Sequence, residues 1–289
     1  MLITIEMIKK VRDKTKVGFV DCKKALIKTE GDIEKAIVLL KKKMISESIR
    51  FMNKEVKLSE GIVGIGIKNN KAVLLELNTE TDFVSRNPFF SELFNKLKDI
   101  LLNFYDNKDC LLNKDCLLND FINYNFNDTK IQNMILEKIF IFEEKISLKR
   151  IQIIYKKDNE FFGTYQHYNK IACLVRFTNP FLEDEKNLLP IHISFCKPKF
   201  INKKKIDPFF IKNIKEKILK EIKMKKPKIS DKLIDIELNK RLNETLDKIC
   251  LSEQYLYNNN PQVKIIDYLK SKKTDIIEFY RFELGEDIN

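Results

Sequence analysis

The hydrophobic residues of this chain change their spacing at Gly61, and that change constrains its fold more than any other feature. Before it, apolar positions recur at helical spacing; from Gly61 to Leu77 they form short runs of the kind that buried strands use. By Phe90 the helical spacing has returned. A chain that keeps the two periods in separate stretches builds small sheets with helices beside them, so the expected class is α+β.

Three short helices are expected before residue 50. Thr4 caps the first, which carries Met7, Ile8 and Val11; after Gly18 a second places Cys22, Ala25 and Leu26 on one face; Asp32 caps a third with Ile33, Ala36, Ile37 and Leu40. Together they make a compact three-helix module, and the polar stretch from Ser46 to Glu60 reads as a linker. Gly61–Ile67 and Ala72–Leu77 flank Asn69-Asn70 and predict a hairpin. Asn87-Pro88 opens a helix presenting Phe90, Leu93, Leu97 and Ile100.

The hexapeptide Asp109–Lys114 returns almost unchanged as Asp115–Asp120, which reads as slippage in a tolerant loop or helix, since two copies are too few for a repeat fold. A helix over about 130–142 follows, and strand-like runs at 151–155, 161–165 and 171–177 predict a second small antiparallel sheet. Asp207-Pro208 starts a helix striped with Ile211, Ile214, Ile218 and Ile222. Beyond Pro227 a partner helix carries Leu238, Leu242, Leu246 and Ile249, giving an antiparallel helical hairpin. A helix near 263–269 and a strand near 276–284 complete the pattern.

With 289 residues, 44% of them hydrophobic, the chain can bury cores for two or three units. No stretch reaches the roughly 18 consecutive apolar residues of a membrane span, and the first residues resemble neither a signal nor a transit peptide. A soluble, cytoplasmic protein is expected. Cys22, Cys110, Cys116, Cys173, Cys196 and Cys250 are scattered without a C-x-x-C pair, as small buried hydrophobes of a reducing compartment would be. With only His167 and His192 beside them, no metal site and no cofactor are expected.

The net charge is +12, which raises a nucleic-acid reading. Residues 201–228, however, hold eleven lysines against Asp207, Glu216 and Glu221, a net +8, so the excess is local. Nucleic-acid or ribosome binding therefore stands as the alternative function, not the first. An enzyme is not expected either. The glycine-rich Gly61–Gly66 lies in a strand and lacks the Lys-Ser/Thr that would make it a phosphate loop, and no H-E-x-x-H or G-x-S-x-G is present.

The informative stretch is Glu76-Leu77-Asn78-Thr79-Glu80-Thr81-Asp82-Phe83-Val84, a strand end entering a turn. It resembles the Thr-Asp-Phe-Val signature of the elongation factor Ts family. Val11-Arg12-Asp13-Lys14-Thr15, Gly18 and Asp21–Leu26 resemble that family's N-terminal signature. Further matches follow in order at Gly31–Ala36, Tyr165-Gln166-His167, Ile191-His192, Lys197-Pro198, Lys226-Pro227-Lys228 and Arg281–Glu286.

The resemblance implies a ubiquitin-associated-like three-helix domain over 1–50 and a linker over 51–60. It implies core subdomains over 61–145 and 146–206, each with a small antiparallel sheet, a coiled-coil hairpin over 207–250, and a C-terminal module over 251–289. It also implies a function, guanine-nucleotide exchange on elongation factor Tu, bound both with GDP and nucleotide-free. Phe83 would wedge into the GTPase domain and disturb its magnesium and phosphate site, with Thr81, Asp82 and Val84 forming the wedge loop. Phe19, Val20 and Lys23 would grip the same domain, while Ile171, Ala172 and His192 would meet a second surface of the partner. The hairpin would support a homodimer.

Four departures from the family pattern carry expectations. Lys16 replaces a usual Gly, Phe19-Val20 replace a Met pair, and Ala172 replaces a Gly whose absence adds a methyl group to a contact surface. Pro190 falls within the helix that should present His192, so that helix either starts late or is kinked.

Overall fold

The computed structural model describes residues 2–104, 114–180, 185–225, 230–257 and 263–287. They form two compact units, one of residues 1–154 with 283–289 and one of residues 155–282. Helices and small sheets are both present, as the α+β expectation required. No helix among the described residues is long and apolar enough to cross a membrane.

The first unit begins with three helices, α1 (Ile5–Thr15), α2 (Phe19–Lys28) and α3 (Ile33–Met52). The Thr4 side chain accepts from the Met7 amide at 3.3 Å and Asp32 from the Lys35 amide at 2.9 Å, so both caps act as expected. Ile8, Val11, Val17, Cys22, Ala25, Leu26, Ala36, Ile37 and Leu40 close the small core between them. Ser46–Met52, expected as linker, instead prolongs α3. Burial explains the difference, because Ser48 is fully buried and donates to the Leu136 carbonyl at 2.7 Å, a partner 88 residues away.

Strands β1 (Glu60–Lys68) and β2 (Lys71–Thr79) pair antiparallel around Asn69, which takes φ 56 in the turn. Gly61 is needed for packing: with φ +143, a Cβ there would lie 2.1 Å from the Leu77 carbonyl oxygen. A one-turn helix α4 (Asp82–Ser85) precedes α5 (Pro88–Asn103), where the Asn87 side chain caps the Phe89 amide at 2.9 Å. Then follow α6 (Lys114–Asn123), the two-residue strands β3 (Asn125–Phe126) and β4 (Thr129–Lys130), α7 (Ile131–Phe142) and β5 (Ile146–Tyr155). The first copy of the hexapeptide repeat lies outside the described residues except for Lys114.

The predicted strand at 151–155 does not join its sequence neighbours. It is the end of β5, which completes a sheet of order β1-β2-β5, and Ile151 and Ile153 are buried with Ile62, Val73, Leu75 and Leu77. The next two runs, β6 (Phe161–His167) and β7 (Ile171–Phe177), pair antiparallel in the second unit and take β8 (Ile276–Glu283) as their third strand.

That unit also holds α8 (Leu188–Cys196), α9 (Pro208–Lys225), α10 (Asp231–Ile249) and α11 (Ile265–Ser271). Pro190 sits in the first turn of α8, where its missing amide hydrogen forfeits no helical bond, so the late start is the outcome. Helices α9 and α10 bury Ile218, Ile222, Ile234, Leu242 and Leu246 between them. Their connection, with Lys226-Pro227-Lys228, lies outside the described residues. Cys22, Cys173 and Cys250 are buried free thiols, and burial pushes the Cys173 thiol up to about 12; Cys110 and the Cys116 side chain lie outside the description.

Candidate functional site

Strand β2 delivers the chain to Thr79, and the next residues are held before they can wander. Thr81 caps α4, its hydroxyl lying 3.5 Å from the Val84 amide. Glu144, at the start of β5's approach, receives the Thr81 hydroxyl at 2.7 Å, the Thr81 amide at 3.1 Å and the Thr79 hydroxyl at 3.1 Å. In return Glu80 accepts the Lys145 amide at 2.7 Å. Asp82 pairs with Arg86 at 3.2 Å on the exposed side of the turn.

This anchoring leaves one side chain conspicuous. Val84 is buried against the core of the β1-β2-β5 sheet, whereas Phe83 is 85% exposed. Burying a phenylalanine stabilises a fold by roughly 1.5–3 kcal/mol, so a fixed turn that holds one in water forgoes that gain.

On α2 the buried face is Cys22, Ala25 and Leu26; Phe19, Val20 and Lys23 lie exposed, and Ile27 extends their apolar strip. Beside them a cleft of about 400 Å³ opens between α2 and α3, with Ile27, Leu39 and Lys24 in its wall. Lys43 bridges to Asp21 across it at 3.0 Å, a hydrogen bond that raises the lysine's pKa.

In the second unit the expected trio divides differently. Ile171 is half-buried at the start of β7, but Ala172 and His192 are fully buried. The methyl of Ala172 therefore adds nothing to a contact surface. His192 uses both ring nitrogens inside: Nδ1 accepts the Tyr257 amide at 3.1 Å, so Nε2 carries the proton and donates to Gln254 Oε1 at 2.7 Å. Burial lowers its pKa, only partly offset by the Gln254 bond. What stands outside is aromatic: Phe195 faces Tyr257 at 5.9 Å and His167 at 5.5 Å, and the exposed Tyr168 meets His167 at 4.5 Å.

A family model described as Elongation factor TS matches residues 80–286. The elongation factor Ts of Phytoplasma australiense is 38% identical over 294 residues, covering 99% of each chain. That of Phytoplasma mali (strain AT) is 39% identical over 289 residues, covering all of both, and that of Spiroplasma citri is 31% identical, covering 100% of this chain and 94% of its own.

The chain belongs to the elongation factor Ts family.

Elongation factor Ts is a component of protein biosynthesis, and the motifs that carried the resemblance can be placed on the fold. Thr81–Val84 form the capped turn, Tyr165 and His167 close β6 beside the aromatic surface, and Arg281–Gly285 lead from β8 back to the first unit. Lys16 takes φ 57 as the residue ending α1, a left-handed conformation that Gly adopts without strain. Sequence reasoning missed Glu144 and the Phe195–Tyr257 pair. Neither lies in a recognisable motif, and only the folded chain brings them beside residues that do.

Proposed function

We propose that this chain is the guanine-nucleotide exchange factor of elongation factor Tu, and that Phe83 is its wedge. Membership in the elongation factor Ts family supports the partner, and a phenylalanine 85% exposed on a capped turn whose next residue is locked in the core supports the wedge. An exchange factor needs no catalytic group. It binds the nucleotide-free GTPase more tightly than the GDP form, and by linkage weakens GDP by the same factor. A phenyl ring suits insertion because it brings large contact area with two side-chain torsions to freeze.

In this reading Phe19, Val20 and Lys23 of a ubiquitin-associated-like module grip the GTPase domain, and Asp82 and Arg86 shape the rim of the wedge. Ile171 meets the second partner surface, with His192 and Ala172 beneath it as supports. The core falls into two subdomains, α9 and α10 form the coiled-coil hairpin that can pair with a second copy, no cofactor is bound, and the protein works in the cytoplasm. Stimulated release of a fluorescent GDP analogue from elongation factor Tu tests it: the wild type should accelerate release strongly and Phe83→Ala should not.

A second reading rests on α9, which exposes Lys212, Lys215, Lys217, Lys220 and Lys223 and would suit an RNA backbone. Gel shifts against bulk RNA across a salt series, run beside the release assay, separate the two.

A further inference from the structure

The Phe83 turn is held by a residue that lies 61 positions beyond it in sequence and in no motif. We infer that Glu144 is the positioning residue of the wedge, and that α7 is the strut that carries it. The inference rests on the wedge reading of Phe83.

The geometry is specific. One carboxylate oxygen of Glu144 takes the Thr81 hydroxyl at 2.7 Å; the other takes both the Thr81 amide and the Thr79 hydroxyl at 3.1 Å. Hydrogen bonds to an ionised acceptor are stronger than neutral ones, and three of them converge on the two residues that set the direction of α4. Glu80 closes the frame from the other side by accepting the Lys145 amide. The backbone leading into Phe83 is thereby fixed, Val84 beyond it is buried in the core, and the Phe83 ring stays 85% exposed. Preorganisation of this kind lets an inserting side chain spend its contacts on the partner instead of on its own ordering.

The support of Glu144 is equally defined. Helix α7 ends at Glu143, which turns the chain left-handed at φ 56 with its amide on the Ile139 carbonyl, and Glu144 follows immediately. Along its length α7 holds the N-terminal module: Leu136 receives the buried Ser48 hydroxyl from α3, and Phe140 packs against the three-helix core. One helix thus fixes the module bearing Phe19, Val20 and Lys23 and, at its end, the turn bearing Phe83. A wedge and a grip that must engage one partner together need such a common mount.

The test uses full-length Glu144→Ala, Glu144→Asp, Glu144→Gln, Phe83→Ala and the double variant Phe83→Ala/Glu144→Ala. Each is melted, then titrated in the stimulated GDP-release assay to give a maximal rate and a half-saturating concentration. Glu144→Gln keeps the reach and can still bond Thr81 and Thr79, so it should hold within about threefold of wild type, whereas the shorter Asp and Ala should lose about tenfold in maximal rate. Half-saturation should move less than about twofold in all, because the grip on α2 is untouched. In the Phe83→Ala background, removing Glu144 should add nothing, since a positioning residue has no effect once the positioned group is gone.

Losses that multiply in the double variant would place Glu144 in an independent role and overturn the inference. So would a wild-type rate in Glu144→Ala alongside a defective Phe83→Ala, which would leave the wedge reading intact. A wild-type rate in Phe83→Ala would overturn both. If Glu144→Ala does not fold, the Asp and Gln variants decide, and equal rates for those two defeat the proposal.

Discussion

Phe83 and Val84 are consecutive residues on opposite sides of the protein surface, one 85% exposed and the other buried in the sheet core. On the proposed wedge role, the pair separates function from stability within a single turn. Phe83→Ala should leave the thermal melt within the range of a surface change, about 0.5 kcal/mol, while GDP release falls well below wild type. Val84→Ala should do the reverse in part, destabilising the first unit by about 2 kcal/mol through lost methyl groups and the cavity left behind. A melt and a release assay on both variants check the division; a Phe83→Ala protein that melts much earlier would make that ring part of the core.

Lys16 holds a left-handed conformation at the end of α1, with its amide on the Arg12 carbonyl at 2.7 Å. A side chain there crowds the carbonyl that follows it. Lys16→Gly should therefore stabilise the three-helix module by about 0.5–1 kcal/mol, read as a rise in its melting midpoint. No change or a fall would show that the lysine side chain contributes more than its backbone costs.

His192 is buried neutral, and its lowered pKa fixes the sign of a pH effect. The unfolded state takes up a proton near the ordinary histidine value of about 6.5 before the folded state does. The stability contributed by neutral His192 is thus fully present above that value and is lost as pH falls through the lower native value. A second ring proton would also point at the Tyr257 amide, donor against donor. The melting midpoint of the wild type should fall more steeply between about pH 7 and 5.5 than that of His192→Gln, which keeps a donor for Gln254 and cannot titrate. Parallel slopes would assign the pH dependence to other groups.

The basic helix α9 lies in the second unit and Phe83, the proposed wedge, in the first. Replacing Lys215, Lys217 and Lys220 by Gln should leave GDP release within about twofold of wild type at moderate salt, because exposed charges act chiefly through long-range, screened attraction. A loss of an order of magnitude would make α9 part of the exchange surface.

Local chemistry made much of this architecture readable in advance. Thr4, Asp32 and Asn87 cap helices whose apolar spacing is unmistakable, and Asn69 supplies the left-handed turn between two apolar strands. The partition of strands between sheets was not readable, because β5 and β6 carry similar patterns and only packing decides which sheet each joins. The candidate site divided in the same way. Phe83 was visible through its motif, but the hydrogen bonds that hold His192 inside and the grip of Glu144 on Thr81 join groups more than 60 residues apart in sequence.

Glu76, fully buried on β2, binds Arg150 Nε at 2.6 Å and accepts the amide of Gly285 at 2.9 Å across 209 residues of sequence. A ribosome releases a chain from its N-terminus, so β2 and its carboxylate emerge long before residues 283–287 exist. Late in that interval Glu76 has Arg150 but lacks the Gly285 amide, one of the donors that offset the cost of its burial. The first unit, most of whose residues are made early, therefore receives the last of the Glu76 donors only once residue 285 has been added.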